Sequence, residues 1–201
     1  MVRIKRTVDW AGVPAVHLLA VGGGAAIAVA FAMRYPKRVA SLGLIESLGF
    51  LRALTAELVA VEEDAAVVDP ARGSDETALE ALVRRTVDPS LSSEGYRRLL
   101  ALTREHRLAA PKARAFLRAL EEYPADLHLL RQVTAPVYLA WGSLSNPVWV
   151  RAHRALAERF PRSRTHEFPG RHTFDPPHRS EPERVAEDLI SMWSEPRPNA
   201  A

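Results

Sequence analysis

VHLLAVGGGAAIAVAFAMRYPKRVASLGLIE, residues Val16–Glu46, decides how the rest of the chain is read. Val16–Val21 is a short apolar run without helical period, and it ends on three glycines, Gly22–Gly24. Ala25–Met33 draws only on Ala, Ile, Val, Phe and Met before Arg34-Tyr35-Pro36 closes the segment. Val39–Ile45 is a second apolar run. Strand, tight turn, helix, strand is the economical reading, a βαβ unit of a parallel sheet. Pro36 supports the boundary, since a helix usually ends at or before the residue preceding proline. The expected fold class is α/β.

Composition bounds the alternatives. The chain has 201 residues, 47% hydrophobic and 25% charged, which suits one soluble globular core. Basic residues number 27 against 24 acidic, and they are scattered among Glu and Asp rather than blocked together, so nucleic-acid binding has no support. There is no cysteine, which excludes disulfides, thiol catalysis and Cys-based metal sites. Nothing in the pattern calls for a cofactor or a metal. A rival reading starts from Arg3, Lys5 and Arg6 ahead of the uncharged run Val16–Met33, which has the length of a membrane span or leader. Asp9 and Pro14 interrupt the approach, and the glycine- and alanine-rich centre is weakly hydrophobic. No membrane segment is therefore expected, and a cytoplasmic location is the default.

Downstream, apolar residues recur at three- and four-residue spacing over Leu51–Asp64, Ser74–Val87, Ser92–His106 and Ala110–Tyr123, predicting four helices. Prolines and glycines punctuate them. Pro136–Gly142, PVYLAWG, reads as another buried strand, Val148–Phe160 as a helix and Arg164–Phe168 as a short strand. Ser180–Trp193 is a closing helix, with Ser180 and Glu183 at capping-box spacing. Met1–Gly12 reads as the tail of a helix.

Val16–Glu46 resembles the nucleophile-elbow region of the α/β-hydrolase family, in which a strand runs into G-x-S-x-G, a helix, Arg-Tyr-Pro-x-Arg-Val and the next strand. Counting back from Arg34-Tyr35-Pro36 places Ala20-Val21-Gly22-Gly23-Gly24 on that motif. The elbow needs small residues two before and two after the nucleophile, and Ala20 and Gly24 are small. Gly22 stands at the nucleophile position, without a side chain to attack anything. The order strand, Trp-Gly, helix, strand, Pro-Gly…His, helix is similar to the family's C-terminal third, so the resemblance covers nearly the whole chain. It implies a truncated, mostly parallel sheet of about four strands: residues 1–49 and 134–195 as core, 50–133 as a helical cap, and 196–201 as a tail. It also implies that the family's first four strands and one oxyanion donor are absent ahead of Met1. The first strand would then be an exposed edge, open to self-association.

The resemblance further implies a site at the carboxyl ends of the strands. His172, in a loop after the last strand, matches the catalytic histidine, with His178 a weaker alternative. The family's acid after Trp-Gly is missing, since the chain reads Trp141-Gly142-Ser143-Leu144-Ser145-Asn146-Pro147. Glu46, at the end of the second strand, is favoured as the acid over Asn146. The Gly23 amide is the candidate oxyanion donor at the start of the helix. Three expectations remain open: an impaired hydrolase of esters or other carbonyl compounds, a scaffold binding a small apolar or ester-like molecule, and a His172–Glu46 dyad without a serine. The glycines with Glu46 also resemble a dinucleotide-binding Rossmann fingerprint, but its third glycine falls on Ile27.

Overall fold

The computed structural model describes residues 2–47, 83, 87–105 and 127–194. A helix α1 (Val2–Trp10) leads into β1 (Val16–Val21), α2 (Gly24–Arg34), a 3₁₀ turn and β2 (Val39–Ile45). Beyond the intervening segment come α3 (Ser93–Glu105), a 3₁₀ helix (Leu127–Gln132), β3 (Val137–Gly142), α4 (Pro147–Arg159) and β4 (Ser163–Phe168). A single turn α5 (Pro177–Ser180) and α6 (Pro182–Trp193) complete the described elements. The four strands form one sheet in the order β1-β2-β3-β4, every neighbour parallel.

Parallel neighbours require crossovers, and helices supply them, so the central strands are covered on both faces. β2 and β3 are buried along their whole length, which is why both read as continuous apolar runs. Side chains alternate between the two layers. Leu42, Leu44, Val137, Leu139 and Trp141 meet α2 and α4 through Ala25, Val29, Phe31, Ala152 and Leu156. On the other face Ile45, Tyr138 and Ala140 meet Val185, Leu189 and Met192 of α6. α6 lies so close that a Cβ at Gly43 would stand 3.3 Å from Leu189 and 2.6 Å from the Leu19 side chain.

Among the described strands β1 stands at one end of the order, with Leu19 and Val21 exposed. The helix over Ser92–His106 is found as α3. Those expected over Leu51–Asp64 and Ala110–Tyr123, most of Ser74–Val87 and hence most of the 50–133 cap lie outside the described residues. Val87 is not helical but bridges Ser145. Among the described residues no helix is long and apolar enough to cross a membrane; the run Val16–Met33 is divided between β1, a glycine turn and α2.

Two expectations are corrected. The closing helix begins at Pro182, with Glu181 at its N-cap and no side-chain cap bond. Proline suits the first helical position because its missing N–H would have no partner there. The Ser180 hydroxyl instead donates to Asp175. His178 lies on the one-turn helix α5 rather than in a loop.

The end of β3 is where the sheet grips the loop after β4. A Cβ on Gly142 would stand 2.0 Å from the Arg171 carbonyl oxygen and 2.5 Å from the His172 nitrogen. Leu144 donates its N–H to the same Arg171 carbonyl at 2.9 Å, and Ser143 donates to Phe168 at 2.9 Å. Replacing Gly142 with Ala should therefore destabilise the fold by about 2–3 kcal/mol through a backbone clash. Gly43→Ala, where the closest obstacle is the movable Leu19 side chain, should cost less. Urea denaturation of both variants checks this, and equal losses would show that the Arg171–His172 backbone is free to retreat.

Candidate active site

β1 passes into α2 through a two-residue turn. Gly22 has φ +58°, a left-handed conformation that glycine adopts without steric cost. Its N–H donates to the Ile45 carbonyl of β2 at 2.9 Å, and its own carbonyl accepts from Ala25 at 3.1 Å. Gly23 is the N-cap of α2. A Cβ on Gly24 would lie 3.9 Å from the Ala20 methyl, so the two small positions face each other across the turn. The first amides of α2 stand ahead of the helix's own ladder, at its positive end.

Glu46 follows β2 immediately and is the sole residue other than glycine with positive φ among those described, at +48°. Its side chain is buried, with 1% of the residue exposed. Its carboxylate gathers the two neighbouring strand ends. Oε1 accepts the Gly142 N–H at 2.7 Å, the Ser145 hydroxyl lies 3.0 Å from both oxygens, and the Thr173 hydroxyl donates to Oε2 at 3.0 Å. Burial pushes the carboxyl above its ordinary range, opposed by the hydrogen bonds from Gly142, Ser145 and Thr173.

His172 sits in the turn after β4, closed by backbone bonds with Asp175. Arg171 pins this turn through Asp175 at 2.9 Å and Glu181 at 3.0 Å. The His172 Nδ1 accepts from the Phe174 and Asp175 amides, each at 3.2 Å. Burial holds the imidazole below its ordinary value; Asp175 raises it and Arg171 lowers it further. The neutral ring with an accepting Nδ1 carries its proton on Nε2. That tautomer can donate a hydrogen bond from Nε2, whereas a triad base needs Nδ1–H held by an acid and Nε2 free to accept.

The structure thus places Gly22, Glu46 and His172 after β1, β2 and β4, at the carboxyl ends where open α/β sheets form their sites. It joins the Glu46 carboxylate to Thr173, one residue beyond His172, while the imidazole itself bonds to backbone amides. Asn146 uses its side-chain oxygen to cap α4, accepting from Val148 at 2.9 Å. Sequence reasoning missed the partners of Glu46, and it missed His153. That imidazole is buried in α4 and stacked on Trp141, with ring centroids 5.3 Å apart. Its Nε2 accepts the Ser47 N–H at 2.7 Å and its Nδ1 lies 2.8 Å from the Trp149 carbonyl, which fixes the proton on Nδ1. His153 therefore braces the backbone immediately after Glu46. A helical histidine four residues after an aromatic carries no sequence signal for that contact. Among the described residues no cluster of His, Asp and Glu could hold a metal ion.

Two predictions follow this geometry. Glu46→Gln should stay within about 1 kcal/mol of the parent, because the hydroxyls of Ser145 and Thr173 can reverse to accept from an amide. Glu46→Ala should lose about 3 kcal/mol, since it leaves the buried Gly142 N–H unpaired beside a cavity. Equal losses in thermal or urea unfolding would mean that the charge, not the hydrogen-bond pattern, holds the three strand ends. For His153, burial lowers the imidazole from 6.5 to about 4. Above pH 6.5 both folded and unfolded forms are neutral. Between 6.5 and about 4 only the unfolded chain binds the proton, so stability falls with pH by on the order of 3 kcal/mol, then levels off. Glu46, raised by burial, acts in the opposite sense. His153→Gln keeps an acceptor for Ser47 and should remove one proton's worth of acid sensitivity; an unchanged slope of stability against pH would reject the assignment.

No protein-family model matches the sequence, and no curated protein matches it. Solved structures do resemble the fold. One is MGS-M2, an alpha/beta hydrolase enzyme from a Medee basin deep-sea metagenome library: 12% identity, TM-score 0.60, over 98% of this chain and 71% of that one. A second is Est816, an N-acyl homoserine lactone degrading enzyme: 18% identity, TM-score 0.61, 94% and 71%. A third is a thermophilic esterase from Thermogutta terrifontis: 22% identity, TM-score 0.54, 89% and 64%. At these identities the likeness establishes an α/β-hydrolase fold.

Proposed function

We propose that this chain, built on the α/β-hydrolase fold, binds an ester or related carbonyl compound at the strand ends without forming an acyl-enzyme, and hydrolyses it poorly or not at all. The observation that carries this reading is Gly22, which holds the positive φ of a strand-to-helix elbow and has no side chain to offer as a nucleophile. Donors for a carbonyl oxygen remain: the amides at the start of α2 and the His172 Nε2–H. The esterase and lactone-degrading neighbours support a carbonyl compound as the ligand class.

Acyl transfer needs a hydroxyl, an imidazole that accepts its proton and a group that holds the imidazole's other nitrogen. The first is missing at Gly22, and the third is replaced by backbone amides that donate to Nδ1 rather than accept from it. Removing a triad member from well-studied enzymes leaves roughly 10³–10⁴-fold acceleration over water, from binding and oxyanion stabilisation alone. A His172–Glu46 dyad would need the Glu46 carboxylate to exchange Thr173 for the imidazole and His172 to change tautomer.

A fluorophosphonate probe, which labels activated serines covalently, should leave the parent unmodified by intact mass, and p-nitrophenyl butyrate should release no burst of product. Gly22→Ser should become labelled, slowly, and the added labelling should vanish in Gly22→Ser/His172→Ala. Stoichiometric labelling of the parent would locate a nucleophile elsewhere and overturn the reading. Folded but unlabelled Gly22→Ser would show that residue 22 is not aimed at the site.

A further inference from the structure

We propose that His166 is a pH-sensitive release for the His172 turn: its neutral imidazole closes a polar strap running from α6 to that turn, and its protonated form opens it. The device regulates the donor assigned to His172 above, and its bearing on ligand binding rests on that reading. Its operation is read on the turn itself, without ligand.

The strap begins on β4. His166 stands in register with Ala140 of β3 and turns its ring toward α6, stacked on Phe168 with centroids 3.9 Å apart. Its Nδ1 lies 2.5 Å from Asp188 Oδ2, the same oxygen that accepts the Tyr138 hydroxyl at 2.7 Å. A carboxylate can only accept, so neutral His166 carries its proton on Nδ1 and leaves the Nε2 lone pair free. Arg184 takes that lone pair: its Nη2 donates to Nε2 at 3.2 Å, and its guanidinium lies over Phe168, 5.3 Å from the ring centroid. Its Nη1 donates to Glu181 at 2.6 Å, Glu181 also accepts from Arg171 at 3.0 Å, and Arg171 reaches Asp175 at 2.9 Å. Asp175 ends the strap, since its amide donates to His172 Nδ1 at 3.2 Å and to the His172 carbonyl at 2.9 Å.

Protonation breaks this chain at one atom. A proton on Nε2 sets N–H against N–H, and an imidazolium against the Arg184 guanidinium. Asp188 keeps the imidazolium, now as an ion pair. Arg184 yields, because its side chain is 52% exposed against 34% for Asp188. Glu181, bonded more closely to Arg184 than to Arg171, follows it. The turn then keeps its tie from Thr173 to Glu46 and loses its anchor at α6. Isolated exposed ion pairs contribute little, but in this strap each acid is shared between donors, so moving one arginine displaces the next.

The charged and titratable groups that face His166 come from each element around it. From α6 they are Arg184 and Asp188, from β3 the Tyr138 phenol, and on β4 Arg164, two residues away on the same face. On the opposite face of β4, Arg154 of α4 pairs with Glu167 at 2.8 Å. Burial, with Asp188 beside it, pushes the Tyr138 phenol above its ordinary value, so it remains a donor. Arg171 and Arg184 hold the Glu181 carboxyl below its ordinary value, so the anion between the two arginines persists while a histidine titrates.

NMR of the folded protein across the histidine titration range tests this. The Phe174 and Asp175 amides donate to His172 and report its own titration in any case. A second phase is expected in their shifts and in that of the Arg171 Nε–H, sharing the midpoint of the His166 Cε1–H. Arg184→Met keeps an apolar stem over Phe168 and removes the donor, so His166 should still titrate while the turn ceases to follow it. His166→Gln, whose amide can donate to Asp188 and accept from Arg184 without titrating, should lose the second phase alone. Turn amides that follow only His172 in the parent overturn the proposal, as does a second phase that survives Arg184→Met. Should the two histidine midpoints coincide, the total shift must shrink in both variants, and an unchanged amplitude is equally fatal. If one variant fails to fold, the other decides. These curves need no ligand, so they stand or fall apart from the carbonyl-binding reading.

Discussion

One buried carboxylate holds the working end of this sheet together. Glu46 leaves β2 in a left-handed conformation that an L-residue other than glycine adopts at a cost, and its side chain turns inward to meet Gly142, Ser145 and Thr173. An unpaired buried carboxylate would be expelled or protonated; three donors from two separate loops make it tolerable. A single side chain consequently links the end of β2 to the loops after β3 and β4, beside the backbone bonds that join those loops to each other. His153 braces the same corner from α4 by accepting the next backbone amide. Thr173 ties the His172 turn to this knot, and Arg171 pins the same turn from its other side through Asp175 and Glu181.

The turn at Gly22 joins β1 to α2 with a left-handed backbone and carries no side chain, and the two facts are mechanically independent. Positive φ at Gly22 and the small pair Ala20 and Gly24 are demands of geometry, met by glycine more easily than by serine. Proton transfer is a separate demand, and the accepting Nδ1 of His172 does not meet it in this arrangement. Glu46 bonds Thr173, one residue beyond His172, and Asp175 closes the His172 turn. One is engaged by hydroxyls and an amide, the other by Arg171 and Ser180.

The backbone plan was legible in the residues because its causes are local. Val16–Glu46 shows its βαβ unit through two apolar runs, a glycine turn and Pro36. PVYLAWG shows β3 because a central parallel strand buries both faces. The knot was not legible, because its causes are distant. Nothing in the neighbourhood of Glu46 announces Ser145 or Thr173, and a Ser-rich loop after Trp141-Gly142 reads as turn chemistry. Ser180 failed in a different way. Its spacing to Glu183 fits a capping box, yet Pro182 starts the helix two residues later and Asp175 takes the hydroxyl.

The pairing of β2 with β3 carries a kinetic consequence. β1 and β2 are joined across a short helix, as are β3 and β4, so each pair closes a small loop. Ile45, by contrast, is registered against Ala140, far along the chain. Closing that long loop costs conformational entropy before any β2–β3 contact repays it, and topologies with such separations fold slowly for their size. The two βαβ units would collapse first, each around its own helix, and their union would set the rate of folding. The Glu46 knot spans the seam between the units, so it would mature only after that union, as the last lock on an assembled sheet rather than part of its nucleus.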